Sequence, residues 1–266
     1  MPQVAVKFAD SFSLRKTVIS GQCFRWNETD GKFNAIVCGR LLTAYTDGSM
    51  LFVDGTDDDA FVRHYFDLDR DYDAISEEII SLEPKLKESE EYARGIHILR
   101  QEPFEALISF IISQNNNIPR IRGIISRICA KFGKSIDGGF AFPDAETLAA
   151  APPEAFSALG CGYRASYICD AAQRVSDGRL DLAALMTAPI DDARKALLEI
   201  LGVGPKVAEC VLLYGLGRLE AFPVDVWIKR ALAEVFGKDT PLLSSPYAGI
   251  AQQYIFEYIR TNYERH

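Results

Sequence analysis

The sequence predicts an α+β protein. An N-terminal antiparallel β-sheet domain over residues 1–95 precedes a mainly α-helical core over 96–266, with a helix–hairpin–helix at about 194–215. Three observations carry this. Short β-branched and aromatic runs, parted by Gly and Asp turns, fill residues 5–53. From Ile96 onward apolar residues recur at helical spacing instead. Between two such helical runs stands Leu201-Gly202-Val203-Gly204, a turn that only glycine-rich chain makes cheaply.

Taken in order, VAVKF, KFNAIVCG, RLLTAYTDG and SMLFVDG read as strands. Ser20-Gly21-Gln22-Cys23-Phe24-Arg25-Trp26, set among them, reads locally as a strand start with a glycine turn. Residues 58–94 read as helical and acidic. Pro103 starts a helix whose buried face is Phe104, Leu107, Ile108, Ile111 and Ile112. It ends at Ser113-Gln114-Asn115-Asn116-Asn117, because consecutive asparagines favour an exposed, hydrogen-bonding turn. Further helices are expected over Arg120–Phe132, Asp144–Ala150, Pro153–Leu159 and Ala165–Ser176. The loop Gly160-Cys161-Gly162-Tyr163-Arg164 presents an aromatic ring and an arginine before the last of these. Asp191–Leu201 leads into the hairpin, and Pro205 opens its second helix. The final helix, from Tyr247 to about Asn262, carries Gln252 and Phe256 four residues apart on one face.

The 266 residues can bury a sizeable core, and no apolar run reaches membrane-spanning length. The opening stretch lacks the charged and apolar regions of a signal peptide, so none is expected. Six scattered cysteines without a C-x-x-C pair argue against structural zinc and a four-cysteine iron–sulfur cluster. Free thiols fit a reducing compartment. Net charge is −8, yet residues 54–91 hold fourteen acids and four bases, a local −10, which leaves about +2 for the rest. Residues 118–134 carry Arg120, Arg122, Arg127, Lys131 and Lys134 with no acid, so a basic face remains available for nucleic acid.

Lys206 stands at the start of the second hairpin helix. Nineteen residues later Pro223-Val224-Asp225-Val226 opens a third helix with a carboxylate at its head. Taken singly, such a lysine is a solvated charge and such an aspartate an N-cap. Together with a hairpin whose unpaired N–H groups attract phosphate, they resemble the helix–hairpin–helix glycosylase superfamily, which excises damaged bases.

The wider match sharpens this. S-G-Q-C-F-R-W, Y-F-D-L-D, I-L-R-Q-E-P, S-Q-N-N-N-I-P-R-I, G-C-G-Y-R, G-V-G-P-K-V-A-E-C, P-V-D-V and P-Y-A-G-I-A-Q span residues 20 to 252 in one order, with Phe256 just beyond. The chain resembles the eukaryotic-type 8-oxoguanine DNA glycosylase/lyase family. The resemblance implies a helical glycosylase core and a bifunctional enzyme acting on duplex DNA that holds oxidised guanine, preferably opposite cytosine. It implies Lys206 as nucleophile and Asp225 as the stabilising carboxylate. Gly21 and Gln252 would read the base, and Cys210 and Phe256 would sandwich it. Asn115 would fill the gap in the duplex and Tyr163 would wedge it, while Arg120 and Arg164 would hold the orphaned cytosine. Gly202 and Gly204 would meet phosphate. The family often has histidine where this chain has Trp227, whose indole donates one bond but never carries charge. The resemblance also implies a monomer, no metal or organic cofactor, and at most a monovalent cation at the hairpin carbonyls. The location it implies is cytoplasmic and nucleoid-associated in a prokaryote, or nuclear in a eukaryote, with no membrane partner.

Two other readings remain. A monofunctional alkylbase glycosylase keeps the aspartate but lacks the lysine. A non-catalytic helix–hairpin–helix DNA-binding module needs neither. Hydrolases fare poorly, with three histidines and neither G-x-S-x-G nor H-E-x-x-H in the chain.

Overall fold

A computed structural model describes residues 2–8 and 11–263. Five strands form one antiparallel sheet: β1 (Gln3–Lys7), β2 (Asn27–Thr29), β3 (Lys32–Val37), β4 (Arg40–Asp47) and β5 (Met50–Asp54). Their order is β1-β5-β4-β3-β2, a meander closed at one edge by β1. Two-residue turns fix the register of its hairpins. Val37 pairs with Arg40 across Cys38-Gly39, and Thr29 with Lys32 across Asp30-Gly31. Buried and outward residues alternate along β3, β4 and β5, which puts Phe33, Leu42, Leu51 and Val53 on the inner face.

The strand reading missed two elements. Helix α1 (Leu14–Ile19) interrupts the strands, with Ser13 capping Lys16 N–H at 3.3 Å. Its β-branched end made it look extended. The short strand β2 is exposed at every residue and carries no alternation to detect. Helix α2 (Asp59–Tyr65) follows β5 and covers the sheet, with Val62, Tyr65 and Phe66 in its core.

Helices α3 (Tyr72–Leu82) and α4 (Lys87–Ala93) complete the acidic segment. The sequence grouped them with the sheet in a 1–95 unit. Their apolar residues Tyr72, Ile75, Ile79 and Ala93, with Leu86 from the turn between them, pack in the helical core. The core of the sheet layer ends near Leu68, with Leu99 added from the strap beyond. Helical periodicity says that a helix buries one face but not against which layer.

The helical layer continues with α5 (Pro103–Ser113), α6 (Ile118–Phe132), α7 (Ala145–Ala149), α8 (Pro153–Ser157), α9 (Ala165–Ser176), α10 (Leu182–Leu185) and α11 (Ile190–Leu198). Then come α12 (Pro205–Cys210), α13 (Val226–Ala231) and α14 (Ala248–Tyr263). A small hairpin, β6 (Ser135–Ile136) with β7 (Gly139–Phe140), and α10 were not foreseen. Both are too short for periodicity to register. Helix α12 runs directly into a wider π-turn over Val211–Gly215, closed by Leu216 N–H to Val211 O at 2.9 Å. All six cysteines are unpaired. Among the described residues no helix is long and apolar enough to cross a membrane.

The stretch Ser20–Trp26 is a loop locked between the two layers, not a strand start. Gln22 is fully buried. Its amide nitrogen donates to Thr17 O (3.0 Å), Ser20 Oγ (3.1 Å) and His97 O (2.8 Å). Its amide oxygen accepts from Leu99 N–H at 2.8 Å, and its backbone carbonyl accepts from Gln101 Nε2 at 2.7 Å. One side chain therefore satisfies backbone groups of α1 and of the strap that enters the helical layer. Gln22→Leu keeps the volume but strands Leu99 N–H and His97 O without partners. Each such orphan costs ~1–3 kcal/mol, so unfolding free energy should fall by ~3 kcal/mol or more in chemical denaturation. A loss below ~1 kcal/mol would show that the amide is not the lock between the layers.

Candidate active site

One narrow cleft is lined by Gly21, Phe110, Lys206, Cys210, Tyr214, Pro223, Asp225, Gln252 and Phe256. Six of these are the nucleophile, carboxylate and base-contact residues expected from the sequence. They come from four separate parts of the chain. Gly21 arrives on the loop that Gln22 locks. Its φ of +85° is one that side-chain-bearing residues rarely adopt. A methyl there would touch Phe256 and Ile118 only at ordinary contact distance, so the backbone angle, more than space, requires glycine. Any substitution at Gly21 therefore tests the loop's conformation along with the cleft.

Lys206 occupies the second position of α12, after Pro205 and the N-cap Gly204. Its Nζ lies 5.6 Å from the centre of the Phe110 ring. Cys210 is one turn further along the same face. Burial pushes the Cys210 thiol up from its usual pKa, against the pull of Lys206 beside it, so it stays a neutral thiol at neutral pH. A neutral sulfur is a suitable surface for a flat, uncharged ring.

Asp225 is the N-cap of α13: its Oδ1 accepts from Ile228 N–H at 2.8 Å. Both readings of this residue hold geometrically, since the same carboxylate caps the helix and lines the cleft. Val224 and Val226 flank it and are exposed. Trp227 lies half-buried one residue further, packed on the helical core.

Phe110, Tyr214 and Pro223 were missed. Phe110 sits on a helix whose sequence is apolar on nearly every side. Tyr214 stands eight residues beyond Lys206, a spacing that could have pointed to it. Phe110 and Tyr214 stack at 5.3 Å between centroids, which makes a flat aromatic wall to the cleft.

A strip of contacts leads from the cleft across the surface. Helix α5 carries Phe110 and ends at Gln114, and Asn115 follows at φ +46°, exposed. Asn115 Nδ2 donates to the hydroxyl of Tyr163 at 3.2 Å. Tyr163 is 51% exposed and meets Tyr167 edge to face at 5.8 Å. Tyr167 in turn packs on the hairpin turn. Gly202 has φ +77°, and a Cβ there would collide with the Tyr167 ring. Asp170 braces the same turn by accepting from Leu201 N–H at 2.8 Å. Leu198 and Leu201 stay exposed beside it. The asparagine, the tyrosine and the hairpin thus form one surface.

Arg120 and Arg164 do not share a role here. Arg120 is exposed beside this strip; its backbone N–H donates to Asn117 Oδ1 at 3.0 Å, and its side chain makes no hydrogen bond or ion pair among the described residues. Arg164 is buried. Its Nε donates to Gln114 O at 2.8 Å, its Nη2 to Gln114 O and to Asn115 O (3.1 Å), and its Nη1 to Cys161 O (3.3 Å). The expectation that Arg164 offers its donors to an orphaned base does not match this arrangement. A guanidinium beside a tight turn is drawn to the turn's unpaired carbonyls, and the Gln114–Asn115 turn supplies them. Arg164 holds Asn115 in its left-handed conformation.

Comparison with known proteins places this geometry. The family model of the 8-oxoguanine DNA glycosylase N-terminal domain matches residues 5–107, and that of the HhH-GPD superfamily base excision DNA repair proteins matches 108–243. The chain belongs to the 8-oxoguanine DNA glycosylase family of that superfamily. The solved structure of MBOgg1 in complex with a low affinity DNA ligand is similar at TM-score 0.91 and 38% identity, over 98% of this chain and 96% of that one. The 8-oxoguanine glycosylase/lyase of Clostridium acetobutylicum, solved with double-stranded DNA containing cytosine opposite 8-oxoguanine, matches at TM-score 0.91 and 34% identity, with the same coverage. The N-glycosylase/DNA lyase of Saccharomyces cerevisiae is 40% identical over 153 residues, 52% of this chain. The match spans 41% of that yeast protein's length. In this member of the family, the seam between sheet and helices is where the Gly21 loop enters the cleft.

Arg164→Ala should lower stability by ~2–3 kcal/mol, because the turn carbonyls lose a charged donor. Arg120→Ala, a surface change, should stay within ~0.5 kcal/mol. Thermal denaturation of the two variants side by side checks this. Equal losses would mean that the buried bonds of Arg164 are not what holds the turn.

Proposed function

We propose that this chain is a bifunctional DNA glycosylase/lyase that removes 8-oxoguanine from duplex DNA, preferably opposite cytosine. One observation carries the proposal: Lys206 and Asp225 line the same cleft as Gly21, Cys210, Gln252 and Phe256. An amine and a carboxylate in a cleft narrow enough for a flat ring suit attack on a sugar whose base has been extruded from the helix. Extrusion costs a few kcal/mol. Tyr163 as wedge and Asn115 as plug would offset it, with Arg120 facing the unpaired cytosine.

The chemistry follows from these groups. The unprotonated Lys206 amine bonds to C1′ as the glycosidic bond breaks, and the base departs. Positive charge that builds on the sugar is stabilised by Asp225, whose second carboxylate oxygen is not used by the helix cap. Opening of the sugar ring gives a Schiff base. That imine acidifies the C2′ proton, and its removal expels the 3′ phosphate by β-elimination. Gly21 would recognise the lesion at N7, a protonated donor in 8-oxoguanine and an acceptor in guanine. A backbone carbonyl is an acceptor only. In support, no hydrogen bond to the Gly21 carbonyl occurs among the described residues. A monovalent cation, if bound, would be held by backbone carbonyls of the hairpin turn at Gly202–Gly204 and would supply positive charge near the DNA backbone.

Lys206→Gln should abolish both base release and strand cleavage on a duplex with one 8-oxoguanine, and borohydride should trap no adduct. An adduct formed by this variant would assign the nucleophile elsewhere. Asp225→Asn is the cleaner probe of the carboxylate, because asparagine caps a helix about as well as aspartate. The variant should fold with near wild-type stability yet excise the base ~10²–10³ more slowly in single-turnover kinetics. Wild-type excision by the folded variant would remove Asp225 from the mechanism.

A further inference from the structure

The aromatic wall of the cleft contains a polar relay. Tyr214 is 5% exposed, and its hydroxyl lies 2.6 Å from Gln253 Oε1 and 3.4 Å from Gln252 Oε1. Gln253 is 1% exposed, and its Nε2 donates to Ser20 O at 3.3 Å, immediately before Gly21. The π-turn, α14 and the Gly21 loop are thus joined through one phenol and one amide. Burial raises the Tyr214 pKa well above the usual phenol value, with Cys210 and Asp225 adding to the effect, so the group is a neutral hydroxyl at neutral pH.

A hydroxyl has one proton to donate, and the 2.6 Å contact with Gln253 takes it. What Tyr214 then turns toward Gln252 is a lone pair. A lone pair favours the NH2 end of the Gln252 amide there, the amide turned end for end from the arrangement in which Oε1 lies 3.4 Å from the hydroxyl, and leaves the amide oxygen for the cleft. Two oxygens facing each other would leave both without a proton between them. We propose that Tyr214 is a positioning residue: its hydroxyl, fixed by Gln253, orients the Gln252 amide so that an acceptor meets the base.

The consequence is a choice of base. Guanine-type rings carry N1–H and N2–H2 donors on their Watson–Crick edge and satisfy an acceptor. An adenine-type edge has an N1 lone pair at the matching place and leaves the acceptor facing another. Gly21 would separate oxidised from normal guanine, whereas this relay would separate oxidised guanine from oxidised adenine. The inference rests on the proposed base-excision activity.

The test uses the full chain, wild type and Tyr214→Phe, in single-turnover excision of 8-oxoguanine and of 8-oxoadenine, each opposite cytosine, and in cleavage of a preformed abasic site. Phenylalanine keeps the ring and its stacking on Phe110. Excision of 8-oxoguanine should fall about tenfold, the effect of one ordinary hydrogen bond. The preference over 8-oxoadenine should shrink by a similar factor, while abasic-site cleavage falls by a clearly smaller one. Gln253→Leu, which frees the Tyr214 proton, should narrow the preference in the same way. A preference unchanged in Tyr214→Phe overturns the relay, as does an equal fall on lesion and abasic substrates. A wild-type chain that excises no 8-oxoguanine but cleaves abasic sites overturns the base-excision reading itself, and the relay with it.

Discussion

The buried amide of Gln22 is the constraint on which the cleft depends. The sheet and the helices have separate apolar cores, and apolar contact alone would allow one to slide on the other. Directional bonds do not. Gln22 ties α1 to the His97–Leu99 strap, and Gln101 returns a bond to its carbonyl. Gly21, one residue away, inherits that position. A loop residue positioned from the sheet layer thereby lines a cleft otherwise built by helices.

Lys206 and Asp225, the amine and the carboxylate of the cleft, are placed by helix starts. Lys206 follows the proline that opens α12, and Asp225 caps α13. Chain direction reverses at a turn, so helix starts are where neighbouring segments converge. Capping and chemistry are not competing explanations for Asp225. The cap fixes one oxygen and so fixes where the other can be. Arg164 shows the opposite outcome, a charged group near the DNA-facing strip whose donors are spent within the protein.

Much of this was legible in the sequence, for reasons that can be traced. Short β-branched and aromatic runs and the Gly and Asp turns between them located the sheet. The glycine turn, Pro205 and the P-V-D start located Lys206 and Asp225. Helix α9 fell where expected because Gly162 and the Ala-rich run bound it clearly. The failures share a cause: pattern reports that a face is buried, never against what. So α3 and α4, read with the sheet, pack their apolar faces on the helical core, and Arg164, read as a DNA contact, donates to the Gln114–Asn115 carbonyls. Phe110 was hidden as a cleft residue because apolar neighbours surround it in sequence, and Tyr214 was masked in the same way despite its spacing from Lys206.

The π-turn after Cys210 has an effect on angular phase. In a straight α-helix four residues advance about 400°, so each step of four drifts about 40° around the axis. Lys206, Cys210 and Tyr214 are spaced by fours, and over two steps Tyr214 would rotate about 80° away from Lys206. The wider π-turn, closed by a bond five residues apart, advances less per residue and turns the column back. Three side chains spread over nearly the whole helix then stand in one row above one another. An extra residue absorbed into a helix turn thus acts as a local unwinding. It converts a spiral of side chains into a straight ladder with an amine, a thiol and a phenol as its rungs.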